Sequence, residues 1–137
     1  MKISTKGRYA LRVMVELSCH DPEVYVPLEE IAEQQEISKK YLEAIVKRLV
    51  QEQLIIGLRG KGGGYKLARS PETYTVGSIL KATEGSLAPV ACLEPCGESC
   101  PRAGECVTLP LWKDLHKLID DYLEGITLDQ LKGQVEL

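Results

Sequence analysis

Apolar residues recur at helical steps from the start of the chain. Ala10, Leu11, Met14, Leu17 and Ser18 fall three and four residues apart, which predicts a helix capped by Ser4 and running to about Ser18. Asp21-Pro22 breaks it. Pro27 sits where the first turn of a helix tolerates a residue without an N–H. A short helix from Leu28 to Gln35 follows, with Leu28, Ile31 and Ala32 inward. Glu36-Ile37 makes a tight connection, and Ser38 is placed to cap a third helix through about Glu52. Leu42, Ile45, Val46 and Leu49 form its inward face. Two helices joined by so short a turn make a helix-turn-helix.

The period then changes from helix to strand. Leu54-Ile-Ile-Gly-Leu-Arg59, the glycine-rich Gly60–Gly64 and Tyr65-Lys-Leu-Ala68 read as strand, tip and strand. A hairpin directly after a helix-turn-helix is a wing. The glycine run lacks the following helix and the Lys-Ser/Thr ending of a phosphate loop, so it is a poor nucleotide motif. Thr75 can cap a short helix through Thr83, stopped by Gly85. Beyond a cysteine-rich loop, Leu111, Trp112, Leu115, Leu118, Ile119, Tyr122 and Leu123 form a second long stripe, with Pro110 early in it and Gly125 ending it. Ile126, Leu128 and Leu131 suggest a last short helix that packs back.

The expected fold is mainly α with a small β-hairpin wing: a winged helix-turn-helix plus a long C-terminal helix. The expected organisation is the winged helix-turn-helix region over 1–84, a cysteine-rich loop over 85–107, and the long helix with its tail over 108–137. The long stripe needs a partner in its own subunit, in another, or in both.

Charge sharpens the reading of the upstream half. The whole chain carries a net charge of −3, which by itself argues against nucleic acid. From Ser38 to Arg69, however, eight Lys and Arg stand against two acids, whereas from Pro71 onward five basic residues face eleven acidic ones. A basic block inside an acidic protein is the footprint of local phosphate contact, with a solvated lysine-rich face as the alternative. Ser38, Lys39, Lys40 and Tyr41 open the recognition helix, whose first residues reach base edges, and Lys47 lies further along the same polar face. Glu43 is repelled by phosphate. It can accept a hydrogen bond from a cytosine amino group or simply pair with Lys47 at i+4. Arg59, with Gly60 and Lys61 beside it, is placed at the wing tip for the minor groove, unless it only solvates the turn.

Four of the five cysteines, Cys92, Cys96, Cys100 and Cys106, fall in one loop at spacings x3, x3 and x5. Pro95, Gly97, Pro101 and Gly104 keep that loop irregular, so several thiolates can converge on one centre. Three readings stand: an iron–sulfur cluster, a zinc site on the same four cysteines, or a thiol–disulfide switch without metal. The spacing is not the paired x2 of a zinc ribbon, which disfavours structural zinc. Neither a signal peptide nor a membrane span is expected. A cytoplasmic protein keeps its thiols reduced, which favours ligands over structural disulfides. Cys19 reads as a small buried hydrophobe of the first helix, His20 as that helix's C-terminal charge, and His116 as solvent-facing. No acid/base constellation or cofactor fingerprint points to an enzyme.

Four segments carry a resemblance. They are Met1-Lys-Ile-Ser-Thr-Lys-Gly-Arg-Tyr-Ala-Leu-Arg12, Ile37-Ser-Lys-Lys-Tyr-Leu-Glu43, Leu58-Arg-Gly-Lys-Gly-Gly-Gly-Tyr-Lys-Leu67 and Cys106-Val-Thr-Leu-Pro-Leu-Trp112. With them the chain resembles, over nearly its full length, the IscR/NsrR/CymR-type (Rrf-type) winged helix-turn-helix transcriptional regulators. The resemblance implies DNA binding for 1–84, sensing for 85–107 and dimerisation for 108–137. It also implies a homodimer with crossing long helices, a palindromic operator in double-stranded DNA, and in many members a 2Fe–2S or 4Fe–4S cluster, 2Fe–2S being favoured here. By position, Cys92, Cys100 and Cys106 match the family's three cysteines. Where IscR-type members have a ligand histidine this chain has Leu109, and where NsrR-type members use an acid it has Arg8. Cys96 is then the candidate fourth ligand. CymR-type members lack both the cluster and this cysteine set.

Overall fold

A computed structural model describes residues 2–94 and 101–133. Among them the helices are α1 (Thr5–Ser18), α2 (Leu28–Gln35), α3 (Lys39–Gln51), α4 (Val76–Glu84), α5 (Leu109–Glu124) and α6 (Leu128–Lys132). Strands β1 (Ile55–Leu58) and β2 (Gly64–Leu67) form the hairpin. The fold is the expected one, mostly helical with a two-stranded antiparallel wing. Two short 3-10 turns, Pro71–Thr73 and Ala91–Leu93, were not legible in the apolar spacing.

Local chemistry fixes the helix ends. Ser4 Oγ accepts from the Gly7 N–H, Ser38 Oγ from the Tyr41 N–H and Thr75 Oγ1 from the Ser78 N–H, each satisfying a donor the helix cannot. α5 begins two residues ahead of the apolar stripe because Pro110 fits its first turn. The core gathers Val13, Met14 and Leu17 of α1, Ile31 of α2, the Leu42, Ile45, Val46 and Leu49 face of α3, and Ile79 of α4. Burying each such side chain stabilises the fold by roughly 1.5–3 kcal/mol before entropy is counted.

The hairpin pairs Ile55 with Leu67 and Leu58 with Gly64. A third segment joins it: the Val26 N–H donates to Tyr65 O at 2.8 Å, and the Tyr65 N–H donates to Val26 O at 2.9 Å. That approach requires Gly64, where a Cβ would lie 2.2 Å from Val26 O. The wing is thereby bonded to the chain entering α2.

Tyr74 fastens the other end of the wing. Its ring is fully buried. Its hydroxyl donates to Leu54 O at 2.7 Å and accepts from the Ala68 and Arg69 N–H groups at 3.0 and 3.1 Å. Tyr74→Phe leaves these main-chain groups short of a partner, and is expected to lower stability by about 1–3 kcal/mol. A urea midpoint that does not move would show the hydroxyl to be dispensable.

After α5 the chain returns beside the start of α4. The Val76 N–H donates to Ile126 O at 2.8 Å and the Leu128 N–H to Tyr74 O at 3.0 Å. Lys81 of α4 pairs with Asp120 and, at 2.9 Å, with Glu124 of α5. Thr75 Oγ1 donates to the other Glu124 oxygen at 2.8 Å. These contacts hold the Lys81 ammonium above its ordinary pKa, with Asp120 the larger cause, and hold Asp120 and Glu124 below theirs. No α5 residue is fully buried, and Leu111, Leu118 and Tyr122 are 57%, 67% and 69% exposed.

Two expectations are corrected. Cys19 is exposed, not buried: it is the C-cap of α1, one residue past the last turn that faces the core. His116 is half-buried rather than solvent-facing. His20, just past the end of α1, bonds Glu16 one turn back at 2.7 Å. Among the described residues no helix is long and apolar enough to cross a membrane.

Candidate nucleic-acid interface and cysteine loop

α3 offers its polar side to solvent: Ser38, Lys39, Lys40, Tyr41, Glu43 and Lys47 are all exposed. Its entry angle is set from behind. Tyr41 packs edge-on against Tyr9 with centroids 5.7 Å apart, and the Arg12 guanidinium lies 5.0 Å over the Tyr9 ring. Arg12 also donates to Gln35 at the end of α2, to its side-chain oxygen at 3.1 Å and to its carbonyl. α1 therefore holds the helix-turn-helix by its turn. On the opposite side, Arg48 Nε donates to Ala82 O of α4 at 2.9 Å, tying α3 to α4.

At the wing tip Arg59, Gly60 and Lys61 are exposed, and Gly60 takes a φ of 95°, a left-handed conformation suited to glycine. Between α3 and the hairpin lies a cleft of about 600 Å³ whose lining includes Glu29, Lys47, Leu58, Arg59 and Tyr65. The structure thus brings Lys47 of α3 and Arg59 of the wing to one cleft. Among the described residues Glu43 and Lys47 form no ion pair. Instead Lys39 Nζ stands 2.7 Å from Glu29 Oε1 of α2. The hydrogen-bonded Glu29 carboxylate raises the Lys39 pKa, and the Lys39 ammonium lowers that of Glu29.

The cysteine loop is described at its two ends. Cys92 lies exposed in the Ala91–Leu93 turn. Cys106 is partly buried just ahead of α5, with Sγ 3.3 Å from Thr108 Oγ1. The Thr108 hydroxyl, followed by the N–H groups of Thr108 and Leu109, pulls the Cys106 thiol below its ordinary pKa. A thiol so placed gives up its proton more readily, as a metal ligand must. Cys96 and Cys100 lie outside the described residues. Arg8 is exposed and donates to Thr5 Oγ1 at 3.1 Å, and Leu109 is half-buried. Neither side chain is a metal ligand of the kind the relatives' positions would supply, and among the described residues no three His, Cys, Asp or Glu gather around one point.

Comparison with known proteins bears on what this arrangement is for. The family model described as Rrf2, iron-dependent transcriptional regulator, matches residues 3–134. The chain belongs to the Rrf2 family. Within it, the chain is similar to the HTH-type transcriptional regulator IscR of Pectobacterium atrosepticum, at 39% identity over 137 residues, covering 100% of this chain and 82% of that protein. Among solved structures it is similar to CymR (YrzC), the global cysteine regulator of B. subtilis, at 35% identity and a TM-score of 0.78 over 98% of each chain. The T. potens IscR structure gives the same identity and TM-score, covering 98% of this chain and 88% of that one. These Rrf2 relatives are regulators of transcription, not enzymes, and the chain is a DNA-binding transcriptional regulator of that kind.

Two features of the site were missed in the sequence. Glu29 is ten positions from Lys39 and meets it only because the turn between α2 and α3 folds the helices together. Lys81 and Glu124 are 43 positions apart. The two acids in the first turn of α2, Glu29 and Glu30, were the only local sign of the former.

Proposed function

We propose that the protein is a homodimeric, sequence-specific regulator, acting as a repressor, that reads iron–sulfur or redox status through Cys92, Cys96, Cys100 and Cys106. Residues 1–84 serve as the DNA-binding region, 85–107 as the sensor loop and 108–137 as the dimerisation segment. The observation that carries the reading is the position of Cys106. The same residue ends the thiol loop, has an eased thiol, and leads within three residues into α5. A cluster bound there, 2Fe–2S by preference, supplies a link among the thiolates that exists only when iron and sulfide are available and the redox state allows it.

What the chain's own residues do follows from their bonds. Displacement at Cys106 is passed to α5. Asp120 and Glu124 pass it through Lys81 and Thr75 to α4, and Ala82 O passes it through Arg48 to α3. In a dimer on a two-fold operator, the spacing of the two α3 helices decides whether both half-sites can be met at once. Lys39, Lys40, Lys47, Arg59 and Lys61 contact the phosphates and grooves. Glu43 selects among bases, since a carboxylate in a cationic face adds no affinity for phosphate.

The docking surface is tested by the Lys39→Ala/Lys40→Ala/Arg59→Ala protein. Each lost phosphate contact is expected to lower the slope of log K against log salt by about 0.9. A triple variant that shifts duplex DNA as wild type does would remove the docking surface. The sensor is tested by absorbance of anaerobically purified protein: a reddish-brown chromophore supports the cluster, and a colourless protein with bound zinc overturns it.

A further inference from the structure

Among the described cations of the proposed DNA face, Lys39 stands apart. Among the described residues no carboxylate lies within ion-pair distance of Lys40, Lys47, Arg59 or Lys61, whereas Lys39 is held 2.7 Å from Glu29. Both side chains are largely in water, 54% and 66% exposed, so the pair contributes little to folding. Glu43, one turn along α3, adds to the negative field at Lys39. Glu29 itself also lines the cleft between α3 and the wing, beside Lys47 and Arg59. A carboxylate at that place stands where a phosphate of a docked duplex would pass, on the cation that leads the recognition helix.

We infer that Glu29 is an internal competitor for phosphate: it occupies Lys39 in the free protein and must be exchanged when DNA docks, which sets the affinity and salt dependence of binding. The inference rests on Lys39 being a phosphate contact. Its physical basis is counterion exchange. A lysine that docks on DNA displaces a condensed cation from the duplex. If it leaves a carboxylate behind, that carboxylate stands alone among phosphates and recruits a cation in turn. The net release is smaller and the salt slope shallower than the number of phosphate contacts implies.

The experiment uses the full chain and a random-sequence duplex, since non-specific binding is made of backbone contacts. Affinity is measured across a salt series for wild type, Glu29→Gln, Lys39→Ala and the Glu29→Gln/Lys39→Ala double variant, with thermal midpoints as the check on folding. Glu29→Gln keeps the shape and removes the charge. It is expected to bind about two- to fivefold more tightly at low salt, the worth of an exposed ion pair, with an unchanged midpoint. Its slope should steepen by up to about 0.9, and Lys39→Ala in the Glu29→Gln background should bind more weakly than Glu29→Gln with a slope about 0.9 shallower. If Lys39→Ala weakens binding in both backgrounds but Glu29→Gln keeps the wild-type slope and affinity, the competitor role is overturned and the docking surface stands. If Lys39→Ala has no effect in the Glu29→Gln background, Lys39 is not a phosphate contact and the competitor role falls with it.

Discussion

Leu118→Asp is expected to turn a dimer into a monomer while leaving the subunit folded. Leu118 is 67% exposed in the subunit, on the same side of α5 as Leu111, Leu115 and Tyr122. A run of large apolar side chains at helical spacing, presented to water, marks an interaction surface. Beside it Ile3, Leu80 and Leu118 line a shallow cleft of about 360 Å³ that continues the apolar face onto the body of the subunit. A carboxylate introduced there sits in water in the monomer and is unpaired inside the interface of a dimer, a difference of several kcal/mol. Ile119 is the poorer choice for this test. It is half-buried within its own subunit, so Ile119→Asp would mix folding with assembly. Sedimentation velocity reads the outcome, and DNA shift assays should lose the two-fold complex with it. A Leu118→Asp protein that remains dimeric, or a monomeric wild type, excludes α5 as the dimer helix.

Replacing Cys92, Cys100 or Cys106 by Ala should abolish iron and sulfide binding, with Cys96→Ala partly tolerated. A cluster takes three or four thiolates, and losing one of these three proposed ligands leaves too few for stable ligation. Cys106→Ala has the most specific consequence, since it also removes the thiol bonded to Thr108 at the head of α5. Cys19→Ala is the internal control. Cys19 is exposed, but it belongs to the end of α1 and not to the loop. Iron and sulfide per chain, measured after anaerobic purification, decide the matter. Full iron content in the Cys100 or Cys106 variant would exclude the assignment.

The fold could be read largely in advance because its elements are strongly patterned, and α1, α3 and α4 carry side-chain caps at their N-termini. α2 occupies Leu28–Gln35 as its breakers Pro27 and Glu36-Ile37 dictate, and the wing follows from glycine and β-branched residues around Gly60–Gly64. Errors came where a residue's neighbours in space differ from its neighbours in sequence. Cys19 looked apolar enough to be core, yet lies past the inward face of α1. Glu43 and Lys47 have the right spacing to pair and do not, while Lys39 turns to Glu29 on another helix. Spacing along one helix is a local property, whereas the angle between α2 and α3 is set by Arg12, Tyr9 and the core beneath. The Lys81–Glu124 link was invisible for the same reason. The cysteine loop was legible only in its chemistry, since nothing in residues 92–106 sets a regular periodicity.

The polar bonds that fasten α5 to α4 are not spread along its length. They fall at Asp120 and Glu124, near the C-terminal end, while Cys106 stands ahead of the other end. At about 1.5 Å per residue, the head of α5 at Leu109 is roughly 16 Å from the Asp120 fastening. Such a helix is a lever with its fulcrum at one end. A shift of about 1.5 Å at its head corresponds to a tilt of roughly 5°, and in the proposed dimer a two-fold axis would apply the same tilt to both subunits. On that reading a sub-turn rearrangement of the thiol loop is enough to change the distance between the two α3 helices, without any element of the fold having to melt.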